Sequence, residues 1–448
     1  MRPNIILVTV DSLRYDHLGY SGYNRKTTPF IDSLAIRGTF HKSAYSHSGA
    51  TQEAFPTILA GVPPPIDYPQ CELGIRRGTS VAIELKKMGY KTAGFNSNPY
   101  LTERYGYNVG FDEFHSDFEG RATRAGTLTG IGPLGYVRLL MSNSPPITRG
   151  DRLTYQLLEW TSKVNKPFFA WIHYMDTHMP YLPPQEYAIK IGVRKQNRVC
   201  CQLTYRKMWS SNRRVRKSMQ EGQSTLTPGE ISRITDLYDA SVRFVDHCVE
   251  ELVGGLEEQG VLDNTFIIFT ADHGELLGEH GVVDHGYLYD SVLHVPLIFF
   301  GVGVASKIDA NPVSHLHVHD SILNVARGSV DNPTPLRPFA SIEKGLISSV
   351  IYDDSRSSFS CRTSRWKYIE TFDKRMNIMR KELYDLEFDR EESNNISESY
   401  PEKVETFHAV IARFVDENRI QNQKVIPSTF SSEEEKGIQR RLRELGYD

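Results

Sequence analysis

The chain has 448 residues, a hydrophobic fraction of 39%, a charged fraction of 24% and a formal net charge of -3. That length exceeds what one core needs, so a large domain with a smaller appendage is expected. The near-neutral balance excludes a global signature of nucleic-acid or membrane-surface binding, and no run of about 18 apolar residues marks a membrane span.

The N-terminus runs straight into Ile5-Ile6-Leu7-Val8-Thr9-Val10. This run is too short for a signal-peptide core, so a cytoplasmic location is expected by default. Cys71, Cys200, Cys201, Cys248 and Cys361 are odd in number and scattered. They fit neither a disulfide framework nor a structural zinc site.

Ile5–Val10 is short, β-branched and continuously apolar, which reads as a strand buried on both faces. Thr92–Phe95, Phe168–His173, Thr265–Thr270 and Val295–Phe300 have the same character. Helices are expected between them at Thr28–Arg37, Ser80–Met88 and Ile231–Gln259. Strands alternating with helices argue for a mostly parallel α/β sheet. Residues 115–165, rich in Gly, Pro, Thr and Arg, read as an insertion. So do residues 187–220, which lack any Asp or Glu. The basic run is either a solvated face or an electropositive lid over an anionic substrate. Near Ser341 the pattern changes to short strands (Leu346–Tyr352, Trp366–Thr371) followed by charged helical sequence. This divides the chain into a catalytic domain over 1–340 and a smaller α+β subdomain over 341–448.

In parallel sheets ligands gather beyond the carboxyl ends of strands. Asp11, Asp176 and Asp272 each follow a strand-like run within a few residues, so they are expected to converge. Asp272-His273-Gly274-Glu275 offers a hard oxygen beside a borderline nitrogen, a pair suited to zinc or manganese. Gly274 would let the backbone turn tightly there. The plainer alternative is that Asp11 and Asp272 cap the helices that follow them. His173, His178, His280 and His285 cluster near Gly and Pro turns after strands, which favours functional roles.

Several of these segments together resemble the sulfatase family of the alkaline phosphatase superfamily. They are Asn4 to Gly19 with its Asp11 and Arg14, Thr27 to Ala35, Asp176 to Tyr181, Thr270 to Glu275, Gly278 to Gly281, His294 to Ile298, Trp366-Lys367-Tyr368, and Glu382 to Leu386 with Asn395 beyond. The resemblance implies an alkaline-phosphatase-like sheet flanked by helices. It implies that Asp11, Asp272 and His273 are metal ligands. It places the nucleophile at Thr51, ten residues before Gly61, where Thr51 would also bind the metal. It implies that His178 and His285 hold the ester's non-bridging oxygens, protonate the leaving group or ligate a second metal. An alternative for Thr51 is the N-cap of a helix over Ala54–Ala60, and both roles can coexist.

The departures are as informative as the matches. Family members that form formylglycine carry Cys or Ser at the nucleophile position, followed by x-Pro-x-Arg. Here the segment reads Thr51-Gln52-Glu53-Ala54-Phe55-Pro56. The second Asp of the family's Asp-Asp pair is Ser12, which favours zinc or manganese over calcium. An unmodified Thr resembles the superfamily's phosphodiesterases, phosphoethanolamine transferases and lipoteichoic acid synthases. The expected function is therefore a metal-dependent Thr-nucleophile phosphodiesterase or phosphotransferase. One alternative is a sulfatase acting without formylglycine; another is an inactive binder of anionic ligands. The expected partner is an anionic small-molecule, glycan or lipid ester, not nucleic acid.

Overall fold

The computed structural model describes all residues except 1, 63–73, 76–79, 117–146, 166, 194–203, 205–206, 209, 213–224, 329–344, 354–355 and 420–448. Its centre is an eight-stranded sheet of β1 (Asn4–Val10), β2 (Thr39–His41), β3 (Lys91–Asn96), β4 (Glu113–Ser116), β5 (Phe168–Tyr174), β6 (Thr265–Ala271), β7 (Leu297–Gly301) and β8 (Lys307–Asp309), in the order β8-β2-β7-β6-β1-β5-β3-β4. β1 pairs in parallel with both β5 and β6. Every residue of these three strands is buried, which is why they read as unbroken apolar runs. β7 runs antiparallel to both of its neighbours, so the sheet is mixed but mostly parallel, as expected.

Helices cover the sheet in two groups. α1 (Pro29–Arg37) and α4 (Gly150–Thr161) pack on the long α5 (Pro228–Glu258), while α2 (Thr51–Ala60) and α3 (Val81–Lys87) pack with α6 (His315–Ala326). α5 begins with a capping box in which Thr227 and Glu230 satisfy each other's backbone N–H groups. α4 corrects the expectation of an insertion over 115–165. Its Leu153, Leu157 and Trp160 belong to the main core, so this part is structural; residues 117–146 lie outside the described residues. Much of the 187–220 run also lies outside them, but Lys207 pairs with Glu230 at 2.7 Å.

A four-stranded antiparallel sheet follows: β9 (Leu346–Asp353), β10 (Arg356–Arg362), β11 (Trp366–Asp373) and β12 (Ile378–Asp385). α7 (Pro401–Arg419) covers it through Val404, Phe407, Ile411 and Val415. Its other contacts reach the main sheet's loops. Val350, Ile369 and Tyr384 pack with Leu276, Tyr289 and Val292, and Ser349 N donates to His47 O at 3.0 Å. The small sheet thereby braces the loop that enters α2. Among the described residues no helix is long and apolar enough to cross a membrane.

Candidate metal centre and active site

Strand register builds the first part of the site. Val10 pairs with Tyr174 on one side and Ala271 on the other. The residues that follow β1 and β6 therefore emerge at one level. Asp11 N donates to Tyr174 O at 2.8 Å and Asp272 N to Val10 O at 3.3 Å. Both aspartates are fully buried, as is His273. Ligand atoms of Asp11, Asp272 and His273 lie within 4.8 Å of one another.

Thr51 arrives from a different part of the chain. It is the first residue of α2; the cap position is Ala50 and makes no side-chain cap bond. The N-cap expectation for Thr51 is thus corrected. Its hydroxyl is instead 3.3 Å from His273 Nε2 and 3.5 Å from Asp11 Oδ2. Only 2% of Thr51 is exposed. α2 ends at Gly61, whose φ of +64° favours glycine, and a Cβ there would sit 2.6 Å from the His319 ring.

Hydrogen bonding fixes which atoms point inward. His273 Nδ1 lies 2.9 Å from Gly274 O. A carbonyl only accepts, so Nδ1 carries the proton and Nε2 presents its lone pair. Asp272 Oδ1 accepts from Ser12 N at 3.2 Å and His273 N at 2.8 Å. Among the described residues Asp272 Oδ2 has no close hydrogen-bond partner, and His273 Nε2 lies 3.6 Å away. Asp11 Oδ1 accepts from Ser12 Oγ at 2.8 Å. Asp11 Oδ2 accepts from Asn98 Nδ2 at 3.0 Å and lies 3.3 Å from His173 Nε2.

Two carboxylate oxygens and an imidazole lone pair therefore converge, with one hydroxyl proton among them. Such a set is short of positive charge, and its donors suit a divalent cation. The acidities follow the same imbalance. Burial, then the charge of Asp11, pushes the Asp272 carboxyl well above the usual range. Burial also raises Asp11, but His178, His173 and His273 outweigh it and hold it below that range. Burial, then His285, lowers His273 to about 4, which keeps its ring neutral and fit to ligate.

The other expected residues divide. His178 and His285 approach each other, with ring centroids 5.0 Å apart, and His285 stacks on His273 at 4.8 Å. His178 Nδ1 contacts Met179 O, so its Nε2 also carries the lone pair. Asp176 does not join the cluster. Its Oδ2 accepts from Gly150 N at 2.9 Å at the start of α4, and burial pushes its carboxyl up to about 7. His280 stacks on Tyr289 at 3.6 Å instead. Gly274 is needed for a close approach rather than a tight turn, since a Cβ would meet Ser291 O at 2.3 Å. No helix follows Asp272, and only a short 3-10 turn (Tyr15–His17) follows Asp11, so neither is a helix cap. Asn98 was missed by sequence reasoning. It lies just past the end of β3, so the strand-end rule that found Asp11 could have found it.

The Sulfatase family model matches residues 3–329. The chain belongs to the sulfatase family. Arylsulfatase K from Gallus gallus is 22% identical, with 93% of this chain and 83% of that protein covered. Choline-sulfatase from Rhizobium meliloti is also 22% identical, covering 89% of this chain and 83% of that protein. Among solved structures, the phosphonate monoester hydrolase of Agrobacterium radiobacter superposes with a TM-score of 0.68 at 18% identity, covering 94% of this chain and 96% of that one. A protein solved with its substrate D-glucosamine-2-N,6-O-disulfate gives 0.67 at 18% identity, covering 94% and 98%. This sulfatase-family hydrolase thus has the fold of those enzymes, and the family binds a divalent metal.

Proposed function

We propose that this sulfatase-family protein is a divalent-metal-dependent phosphoesterase, acting on phosphodiesters or phosphomonoesters, with Thr51 as nucleophile. The observation that carries this reading is the Thr51 hydroxyl at 3.3 Å from His273 Nε2 and 3.5 Å from Asp11 Oδ2, beside Asp272. Asp11, Thr51, Asp272 and His273 would hold the cation. Zinc or manganese suits this set better than calcium, because Ser12 stands where a further carboxylate would be and His273 supplies nitrogen. When bound, the cation lowers the cost of ionising a hydroxyl and offsets charge on the ester's oxygens.

The chain's own groups supply the rest. Thr51 Oγ bonds to phosphorus as its proton passes to solvent, and the bond from phosphorus to the leaving oxygen breaks. The leaving oxygen takes up a proton from His178 or His285, and His178 first gains that proton from solvent on its Nε2 lone pair. Water then bonds to phosphorus, the bond to Thr51 Oγ breaks, and the hydroxyl is restored. An acceptor alcohol in place of water would make the same chemistry a transfer. Thr51 is N1 of α2, so backbone N–H groups of the first turn favour the anionic ester nearby.

The second reading is sulfate-ester hydrolysis, favoured by the names of the relatives, arylsulfatase and choline-sulfatase. Those names, and the disulfated glucosamine bound by one structural neighbour, also support a small anionic or glycan ester as the substrate class. Against sulfate stands Thr51, which lacks both the residue and the flanking pattern for formylglycine. A panel of p-nitrophenyl phosphate, bis-p-nitrophenyl phosphate and p-nitrophenyl sulfate decides between them. Faster turnover of the sulfate ester than of either phosphate would overturn the proposal.

A further inference from the structure

We infer that the chain carries a second cation site, built from Glu275, Asp284 and His285, next to the Asp11/Thr51/Asp272/His273 set. Ligand atoms of these three residues lie within 4.8 Å of one another, and all three residues are buried.

A short hairpin assembles them. Leu276–Leu277 pairs antiparallel with Val283–Asp284, with Leu276 opposite Asp284. One step beyond that pair, the ladder brings Glu275 opposite His285. Glu275 Oε1 lies 3.4 Å from His285 Nδ1, longer than a charge-assisted hydrogen bond. Asn212 Oδ1 accepts from Val283 N at 3.3 Å, fixing the outer strand of the hairpin.

Glu275 supplies the independent observation. It is 0% exposed, and among the described residues neither carboxylate oxygen has a close hydrogen-bond partner, the Tyr181 hydroxyl being a weaker donor to it. A fully buried carboxylate left in this state is costly unless a cation meets it. The donor set of two carboxylates and one imidazole matches that of the first site, so the same class of ion fits both. The sites adjoin, because the His285 ring stacks on His273 at 4.8 Å. A cation held there would add positive charge beside that of the first site, which offsets charge on an anionic ester. This assignment moves His285 from proton handling to cation binding and leaves His178 for the leaving oxygen.

The inference rests on the proposed function only in treating the neighbouring set as a cation site, and metal stoichiometry separates the two. The full chain is stripped with chelator, reloaded with Zn2+ or Mn2+, desalted and assayed by plasma mass spectrometry. Wild type is expected to hold two equivalents, Glu275→Gln one, Asp272→Asn one and the double variant none. Glu275→Gln should keep a wild-type Tm after metal removal, which shows that its lost equivalent is not misfolding; Asp284→Asn repeats the test. A wild type that loads a single equivalent, lost in Asp272→Asn, overturns the second site and leaves the first standing. A wild type that loads none overturns both.

Discussion

Asp11 and Asp272 lie within 4.8 Å of each other at adjacent strand ends, and their acidities are driven apart. Burial and Asp11 raise Asp272, whereas three histidines hold Asp11 down. A carboxyl raised in the fold favours its protonated form, so its charged form destabilises the metal-free protein at neutral and higher pH. Asp272→Asn keeps the Oδ1 acceptor used by Ser12 N and His273 N while removing that charge. The variant should lose bound metal, yet in chelator be at least as stable as wild type, by on the order of 2 kcal/mol at pH 8. Metal analysis and thermal melts check both parts. Retained metal with unchanged affinity would refute the ligand role of Asp272.

Thr51→Ala removes one hydroxyl and leaves α2 with a strong helix former. Turnover should fall by about three orders of magnitude or more, with stability within about 1 kcal/mol of wild type. Thr51→Ser should retain measurable turnover. Rapid quench of wild type followed by intact-mass analysis should show one phosphoryl group, which maps to residue 51. Wild-type rates in the alanine variant would mean that another group attacks.

His178→Ala should depend on the leaving group. A p-nitrophenolate leaves without much help, whereas an alkoxide needs a proton. The loss in kcat/KM should be at least about tenfold larger for an alkyl ester than for the p-nitrophenyl ester. Equal losses on both substrates would show that His178 binds the ester rather than protonating it.

Glu53 gives a pH signature. It sits in α2 two positions after Thr51, is 3% exposed, and burial pushes its carboxyl up to about 8. The folded state therefore takes up a proton that the unfolded chain releases above its ordinary carboxylate pKa. Stability relative to Glu53→Gln should be unaffected below that value, fall as pH rises from about 5 to 8, and level off above. The total loss should be a few kcal/mol, read from denaturant midpoints across that range. A flat difference would refute the raised acidity.

Ser12 stands in the left-handed region at φ 57°, which Asp tolerates better than most side chains, and its hydroxyl donates to Asp11. Ser12→Asp adds a carboxylate to the cation set. It should tighten Ca2+ binding by roughly tenfold or more relative to wild type, measured by competition with Zn2+ or Mn2+. Unchanged calcium affinity would show that residue 12 does not face the ion.

Much of this was legible in the chain. The strands β1, β5 and β6 were readable because burial on both faces forces unbroken apolar runs, and Asp11 and Asp272 were readable as the polar residues that end them. Asp176 obeys the same rule and still does not join, because the free N–H of Gly150 claims its carboxylate. Nothing local distinguishes it from Asp11.

What the sequence determined alone was the family, the sheet and the residue types available for binding a cation. Only tertiary structure decided which of them meet. Thr51 reaches Asp11 because α2 enters from a loop held by the second sheet, Asn98 arrives from β3, and Glu275 meets His285 through the register of a two-residue ladder. Each of these contacts depends on pairing between distant segments. Local propensity carries no information about such pairing, since the energy that selects it is burial and hydrogen bonding realised only when the segments pack.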